Sequence, residues 1–405
     1  MQPASATPMP AAPLATFEGI VRADGRVATR NYLGVFVVGN CGATVARKIA
    51  DWFTEARLAD YPNLDGVVPF VHEIGCGMEM TGEPMDLLRR TIAGTLRNPN
   101  IAGGLVIALG CERNNIYGFM EQEKLQTGAM LKTLVMQELG GTANTVEAGI
   151  AAIQEMLPQA NDCRRETVSA AHLVVGLQTA GRDGTVAVNA DRALGAAVDL
   201  LIAAGGTAVL SGTVDVAQGG EALAARATTP AVRAALAERV DWWRSYHAGR
   251  DTRLQDNSPP AAHAAAAGLQ RGGRAPLAAV IGYARPIDTR GLVFMDAPAY
   301  EAVSATGQIA SGANLVCVTT ATGSAFGSLP APTLKLAETS ALFARMEDDL
   351  DIDCGPVGIG EASVDVMGQR IFAQMLAHAS GARTKSEDLG IGENEFVPWP
   401  IGVLA

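Results

Sequence analysis

The sequence predicts an α/β fold: two or three α/β domains with mainly parallel sheets, and an active site at the strand carboxyl ends between domains. Three observations carry this expectation. The chain has 405 residues, more than a single hydrophobic core usually organises. Short apolar runs alternate with amphipathic helical stretches, the pattern of parallel strands joined by crossover helices. Three of those runs end in a cysteine flanked by glycine, and Cys41, Cys76 and Cys111 follow one another at intervals of 35 residues.

Taken in order, residues 1–16 are dominated by Ala, Pro, Ser and Thr and read as a flexible tail. A first domain is expected over 17–157. It holds a strand over 33–39 with a helix over 45–54, a strand over 66–72 with a helix over 84–97, and a strand over 103–110. A fourth strand is expected within 127–135, and Gly140-Gly141-Thr142 opens a helix running to about residue 156. Residues 157–168, with Pro158, Asn161 and Asp162, read as a connection. The second domain, 169–405, is expected to hold a strand over 173–178, a turn over 181–184, a helix over 193–204 and a strand over 207–210. Residues 250–274, rich in Gly, Ala, Pro and Asn and including His263, read as an exposed excursion. Strands over 291–295 and 314–320 follow, then a helix over 363–380 closed by Gly381, a residue suited to a helix C-cap.

Composition narrows the function. Hydrophobic residues make up 48% and charged residues 18% of the chain, which fits a compact globule rather than disorder. A formal charge of −11 offers no basic stripe for a phosphate backbone, so nucleic acid is not expected as a partner, and an anionic substrate needs a local cationic pocket. The first residues lack a basic segment followed by an apolar stretch, and no apolar run reaches the roughly 18 residues of a membrane span. A cytoplasmic protein without membrane attachment is expected. Six cysteines in so long a chain then point to thiols or metal ligands rather than disulfides.

Each cysteine of the triplet lies just past the predicted carboxyl end of a strand, where open parallel sheets place their ligand crevice. For one cysteine, packing as a small hydrophobe is the commoner explanation. Three in one repeated context suit a soft metal or an iron–sulfur cluster, because thiolate is a soft ligand. His72 and Glu112 fall at the same rim. A histidine there serves as metal ligand, as base, or as a hydrogen-bonded structural group. Glu112 serves as base, ligand or acidic cap of the following helix.

Several phrases together resemble one family, that of the altronate and galactarate dehydratases. They are residues 17–32, Asn40-Cys41-Gly42 through Ala46, His72 with Gly75 to Met78, Gly110-Cys111-Glu112, 137–142, 176–178, 291–298, 304–307, 312–314, 345–349, 351–355, 360–362 and 395–399. The resemblance covers the chain from about Phe17 onward. It implies a lyase that removes water from a sugar acid to give a 2-keto-3-deoxy acid, with iron as the usual metal. Similar two-subunit enzymes of the family eliminate sulfite from sulfolactate. Family enzymes also use a small N-terminal domain that this sequence lacks, so a separate small subunit, and with it a homo- or hetero-oligomer, is expected.

The sequence departs from the family at Thr179, at residues 180–183, at Ala321 to Ser324 and at Phe326 to Pro330; a loop and its continuation are eroded at 257–261 and 267–269. Expected cationic positions are occupied by Thr322 and Leu329, which points to a smaller or differently charged acid. Arg30, beside Asn31 in the opening motif, is the first candidate for the substrate carboxylate, since a guanidinium suits bidentate contact; Arg22, Arg26, Arg182 and Lys335 are others. Asn40, Thr44, Gln178 and Ser324 are candidates for substrate hydroxyls. A different class of function, a catalytically silent subunit that binds an acid or serves as a scaffold, draws on the same departures.

Overall fold

The computed structural model describes residues 15–180, 187–248, 265–392 and 395–401. The strands are β1 (Thr16–Val21), β2 (Val27–Ala28), β3 (Tyr32–Val37), β4 (Gly66–Phe70), β5 (Ile101–Ala108), β6 (Leu131–Val135), β7 (Arg165–Ser169), β8 (Val174–Ala180), β9 (Thr207–Ser211), β10 (Leu277–Ile281), β11 (Gly291–Met295), β12 (Leu315–Thr320), β13 (Thr333–Ala337) and β14 (Ile352–Asp353). They form a four-stranded sheet in the order β4-β3-β5-β6, a seven-stranded sheet in the order β10-β11-β9-β8-β12-β13-β14, and a small sheet β2-β1-β7. Every pairing in the two larger sheets is parallel, as the sequence predicts.

Strand β3 shows why these segments become central parallel strands: all six of its residues are buried, so both faces must be covered. Leu33, Val35 and Val37 pack with Val45, Ile49, Ile153 and Met156 from the helices Ala43–Trp52 and Thr142–Asn161. Tyr32 and Phe36 turn the other way, toward Leu88 and Ile92 of the helix Glu83–Leu96. In the larger sheet, Leu315 and Cys317 of β12 face the core containing helix Val188–Ala203, whereas Val316 and Val318 face Ala302 and Ala305 of helix Glu301–Ala310.

The two large sheets are joined by close packing. Gly94 lets helix Glu83–Leu96 lie against helix Glu301–Ala310, since a Cβ there would meet the Ala310 carbonyl oxygen at 2.3 Å. Nearby, Asn98 donates to the carbonyls of Ile309 and Ala313, and Asn100 to those of Asn314 and Pro330. Phe396 adds an edge contact to Phe70 at 5.4 Å between centroids.

Two expectations are corrected. Residues 157–168 are not a free connection: the helix continues to Asn161 with Pro158 inside it, and 165–169 form β7, paired with β1 from Thr16↔Ser169 to Ile20↔Arg165. Burial of Met156, Leu157 and Ala160 continues the helix's apolar face past the proline and offsets the roughly 3 kcal/mol that an interior proline costs. The excursion expected over 250–274 is likewise built in from residue 265 onward, where Ala265, Ala267, Leu269 and Arg271 are buried; His263 lies outside the described residues. The closing helix is observed at Val364–Ala379, capped by Ser363, with Gly381 at φ 109° as expected.

A candidate thiol site at the strand ends

Cys41 sits in the short turn Asn40–Gly42 between β3 and its helix, Cys76 in the loop after β4, and Cys111 directly after β5 and Gly110. The loops interleave only because of glycine. A Cβ on Gly75 would lie 2.4 Å from the Val38 carbonyl oxygen, and Gly75 itself adopts φ 103°. A Cβ on Gly39 would lie 2.7 Å from Glu112 Cγ and 3.6 Å from Cys76 Sγ. Backbone bonds tie the loops together: Asn40 N–H donates to Ile74 O at 3.2 Å, and Asn114 N–H to Gly75 O at 3.0 Å.

All three cysteines are exposed, and the sulfurs of Cys41 and Cys76 stand 3.7 Å apart. That is far beyond a disulfide bond, and it matches the separation of about 3.8 Å for two thiolates on one tetrahedral ion with metal–sulfur bonds near 2.3 Å. Desolvation, the hydrogen bond and charge of Cys41, and the charges of Glu112 and Cys111 push the Cys76 thiol up to about 11. A cation beside Cys76 would favour its thiolate. Among the described residues no group of three or more His, Cys, Asp or Glu side chains stands close enough to hold a metal ion as arranged; Cys41 and Cys76 form a close pair, and Cys111 is near enough to act on Cys76 through its charge.

His72 and Glu112 are at this edge, and both are buried and turned inward. The His72 ring accepts at Nδ1 from Ile74 N–H and lies with Nε2 3.0 Å from Val37 O, so both nitrogens face backbone partners. Burial pushes its imidazole down to about 4, which keeps it neutral. The Glu112 carboxylate accepts from the backbone N–H of Leu109 and from that of Gly110 at 2.8 Å, folding back over its own loop. Asn40 and Thr44 are exposed at the rim.

Arg30 and Asn31 precede β3 and so lie at the opposite edge of the sheet, separated from Cys41 by a strand of roughly 20 Å at about 3.3 Å per residue. Arg30 is buried in a bidentate ion pair with Glu387, at 2.5 and 2.8 Å, and also donates to the carbonyls of Thr29, His378 and Ala382. Asn31 donates to the carbonyls of Asn63 and Ala160. The structure thus does not bring this pair to the thiol edge. Gln178 is buried at the end of β8, donating to Ser304 and Gln308, while Ser324 accepts from Phe326 N–H. Arg182 lies outside the described residues. Sequence reasoning missed a buried charged pair, Asp191 and Arg271; the signal was a charge set among apolar positions, hidden for Arg271 by the reading of its segment as exposed.

Two all-parallel sheets, with three exposed cysteines at the strand carboxyl ends of the smaller one, define an α/β protein whose candidate site lies at a sheet edge. The chain belongs to the D-galactarate/altronate dehydratase family: residues 19–161 match the second domain of D-galactarate dehydratase/altronate hydrolase, and residues 170–404 match the C-terminal part of D-galactarate/altronate dehydratase. It is 31% identical to galactarate dehydratase (L-threo-forming) of Escherichia coli over 98% of this chain and 80% of that protein. It is 26% identical to altronate dehydratase of Bacillus subtilis over 92% of this chain and 75% of that one. The (2R)-sulfolactate sulfo-lyase subunit beta of Chromohalobacter salexigens is also 26% identical, over 94% of this chain and 96% of its own length.

Proposed function

We propose that the chain is the large subunit of a lyase that eliminates a β-substituent, water or sulfite, from a small hydroxylated acid to leave a 2-keto acid. Family membership and the names of three relatives support the reaction class. The observation that carries the site is the Cys41–Cys76 sulfur separation of 3.7 Å at strand carboxyl ends, with Cys111 adjoining. Cys41, Cys76 and Cys111 would hold iron, which when bound supplies Lewis-acid polarisation of the departing group or the carboxylate.

Glu112 is the better placed of the two proton carriers. Its side chain and the Cys76 sulfur both lie within 4 Å of one point above Gly39, and each carboxylate oxygen keeps acceptor capacity beyond its amide bond. His72, held at both ring nitrogens, acts by fixing the Val37 and Ile74 backbone that presents the cysteine loops. Asn40 and Thr44 are available to substrate hydroxyls. A small partner subunit is part of the reading, supported by the sulfo-lyase relative being a beta subunit. A cytoplasmic setting would keep the exposed thiols reduced.

Elimination from galactarate, altronate and (2R)-sulfolactate, assayed anaerobically by 2-keto acid formation, tests the proposal. Turnover of one of them that is lost in Cys76→Ser supports it. No turnover of any, together with Cys76→Ser protein that still binds acid as wild type does, favours the silent acid-binding subunit instead.

A further inference from the structure

The larger sheet has its own point where strand order reverses. From β8 the chain passes through helix Val188–Ala203 to β9 on one side, while β12, reached through helix Glu301–Ala310, pairs on the other side of β8. These helices cover opposite faces of the sheet. Open parallel sheets take ligands in the crevice beyond the carboxyl ends at such a reversal.

Two buried and incompletely bonded charges meet near that edge. Asp191 is fully buried; its Oδ1 accepts from Thr319 Oγ1 of β12 at 2.7 Å, and its Oδ2 has no partner among the described residues. Arg271 is 2% exposed; it donates through Nη1 to Gly268 O at 2.6 Å and through Nη2 to Ser211 O at 3.4 Å, with Nη2 3.9 Å from the Asp215 carboxylate, while its Nε has no partner among the described residues. The gap between them is marked by Gly268: a Cβ there would stand 3.2 Å from Arg271 Nη1 and 3.8 Å from Asp191 Oδ2. The two groups thus approach one point beside Gly268 without closing into an ion pair. An orphaned buried carboxylate oxygen and an orphaned guanidinium nitrogen are each costly, and a third group lying between them would relieve both.

We propose that this gap is a binding subsite for a 2-hydroxy acid, in which Arg271 takes the carboxylate or sulfonate oxygens and Asp191 the neighbouring hydroxyl. A planar guanidinium matches two oxygens of an anion, and a carboxylate is a strong acceptor for a hydroxyl donor. Burial pushes the Asp191 carboxyl up to about 7, so it can also donate when protonated. The ligand class rests on the lyase reading above, whereas the site rests on the geometry of the larger sheet and is separate from the cysteine loops.

The test is ligand-induced thermal stabilisation, backed by equilibrium dialysis, with glycolate, galactarate and (2R)-sulfolactate as probes on the full chain. Wild type is expected to gain roughly 2–4 °C in Tm from at least one probe near a hundredfold excess over its Kd. Gly268→Ala places a methyl group in the gap at a residue with φ −62°, which alanine accepts. It should fold with an unchanged circular dichroism spectrum and lose at least tenfold in affinity. The proposal is overturned if no probe stabilises wild type or if Gly268→Ala binds with undiminished affinity. Binding to wild type that Gly268→Ala leaves undiminished would place the acid at the thiols alone and leave the lyase reading standing.

Discussion

The sulfurs of Cys41 and Cys76 lie 3.7 Å apart although the residues come from loops after different strands. The pair is set by backbone rather than by side-chain packing: the loop after β4 crosses the loop after β3 where Gly39 and Gly75 carry no Cβ. Gly75→Ala would force a Cβ to 2.4 Å from a carbonyl oxygen at a left-handed φ. We expect it to cost on the order of 1–3 kcal/mol and to separate the thiols, so that urea unfolding shows a lower midpoint and bound iron falls more than stability does.

Arg30 is a structural cation, and its removal should show as such. The ion pair with Glu387 is buried and joins the opening strand region to the C-terminal helices. Breaking it with Glu387→Ala leaves a buried guanidinium, for which about 3–5 kcal/mol of destabilisation is expected by denaturant titration. Burial alone would raise the Glu387 carboxyl, but Arg30 outweighs it and holds the group below its ordinary value. The pair's stabilisation is therefore present above the ordinary carboxylate range and is lost as pH falls through the lowered folded value. Acid unfolding of Glu387→Gln should show a weaker dependence on pH in that window.

His72 gives the opposite group type and a different window. Its folded imidazole is held down to about 4 by burial, against 6.5 in the unfolded chain. Between these values the unfolded state binds the proton and the folded state does not, so stability falls as pH drops from about 6.5 toward 4, by up to about 3 kcal/mol. His72→Gln, which keeps hydrogen-bonding capacity, should flatten the slope of Tm against pH over this range. An unchanged slope would show that the folded and unfolded states take up the His72 proton alike, against a lowered folded value.

Much of the thiol edge was legible in the sequence because its determinants are local. An apolar run covered on both faces, a glycine and a cysteine recur in β3, β4 and β5, and strand position alone brings Cys41, Cys76 and Cys111 to one edge. What sequence reasoning could not supply was the partner of each polar side chain. Arg30 meets Glu387, 357 positions away, and sits at the amino end of its strand, so a motif beside the cysteines in sequence is distant from them in space. Asp191 and Arg271 come together only when β8, β9 and β12 assemble. The helix through Pro158 was obscured for the same reason, since tertiary burial of Met156 and Leu157 overrides a local breaker.

The most direct test of the central claim is iron and acid-labile sulfide per chain on protein purified without oxygen and co-expressed with a candidate small subunit. Iron is expected on wild type and is expected to be lost in Cys41→Ser, Cys76→Ser and Cys111→Ser variants that remain folded. Well-folded wild type that carries no metal under these conditions, and that the three substitutions leave unaltered, would contradict it.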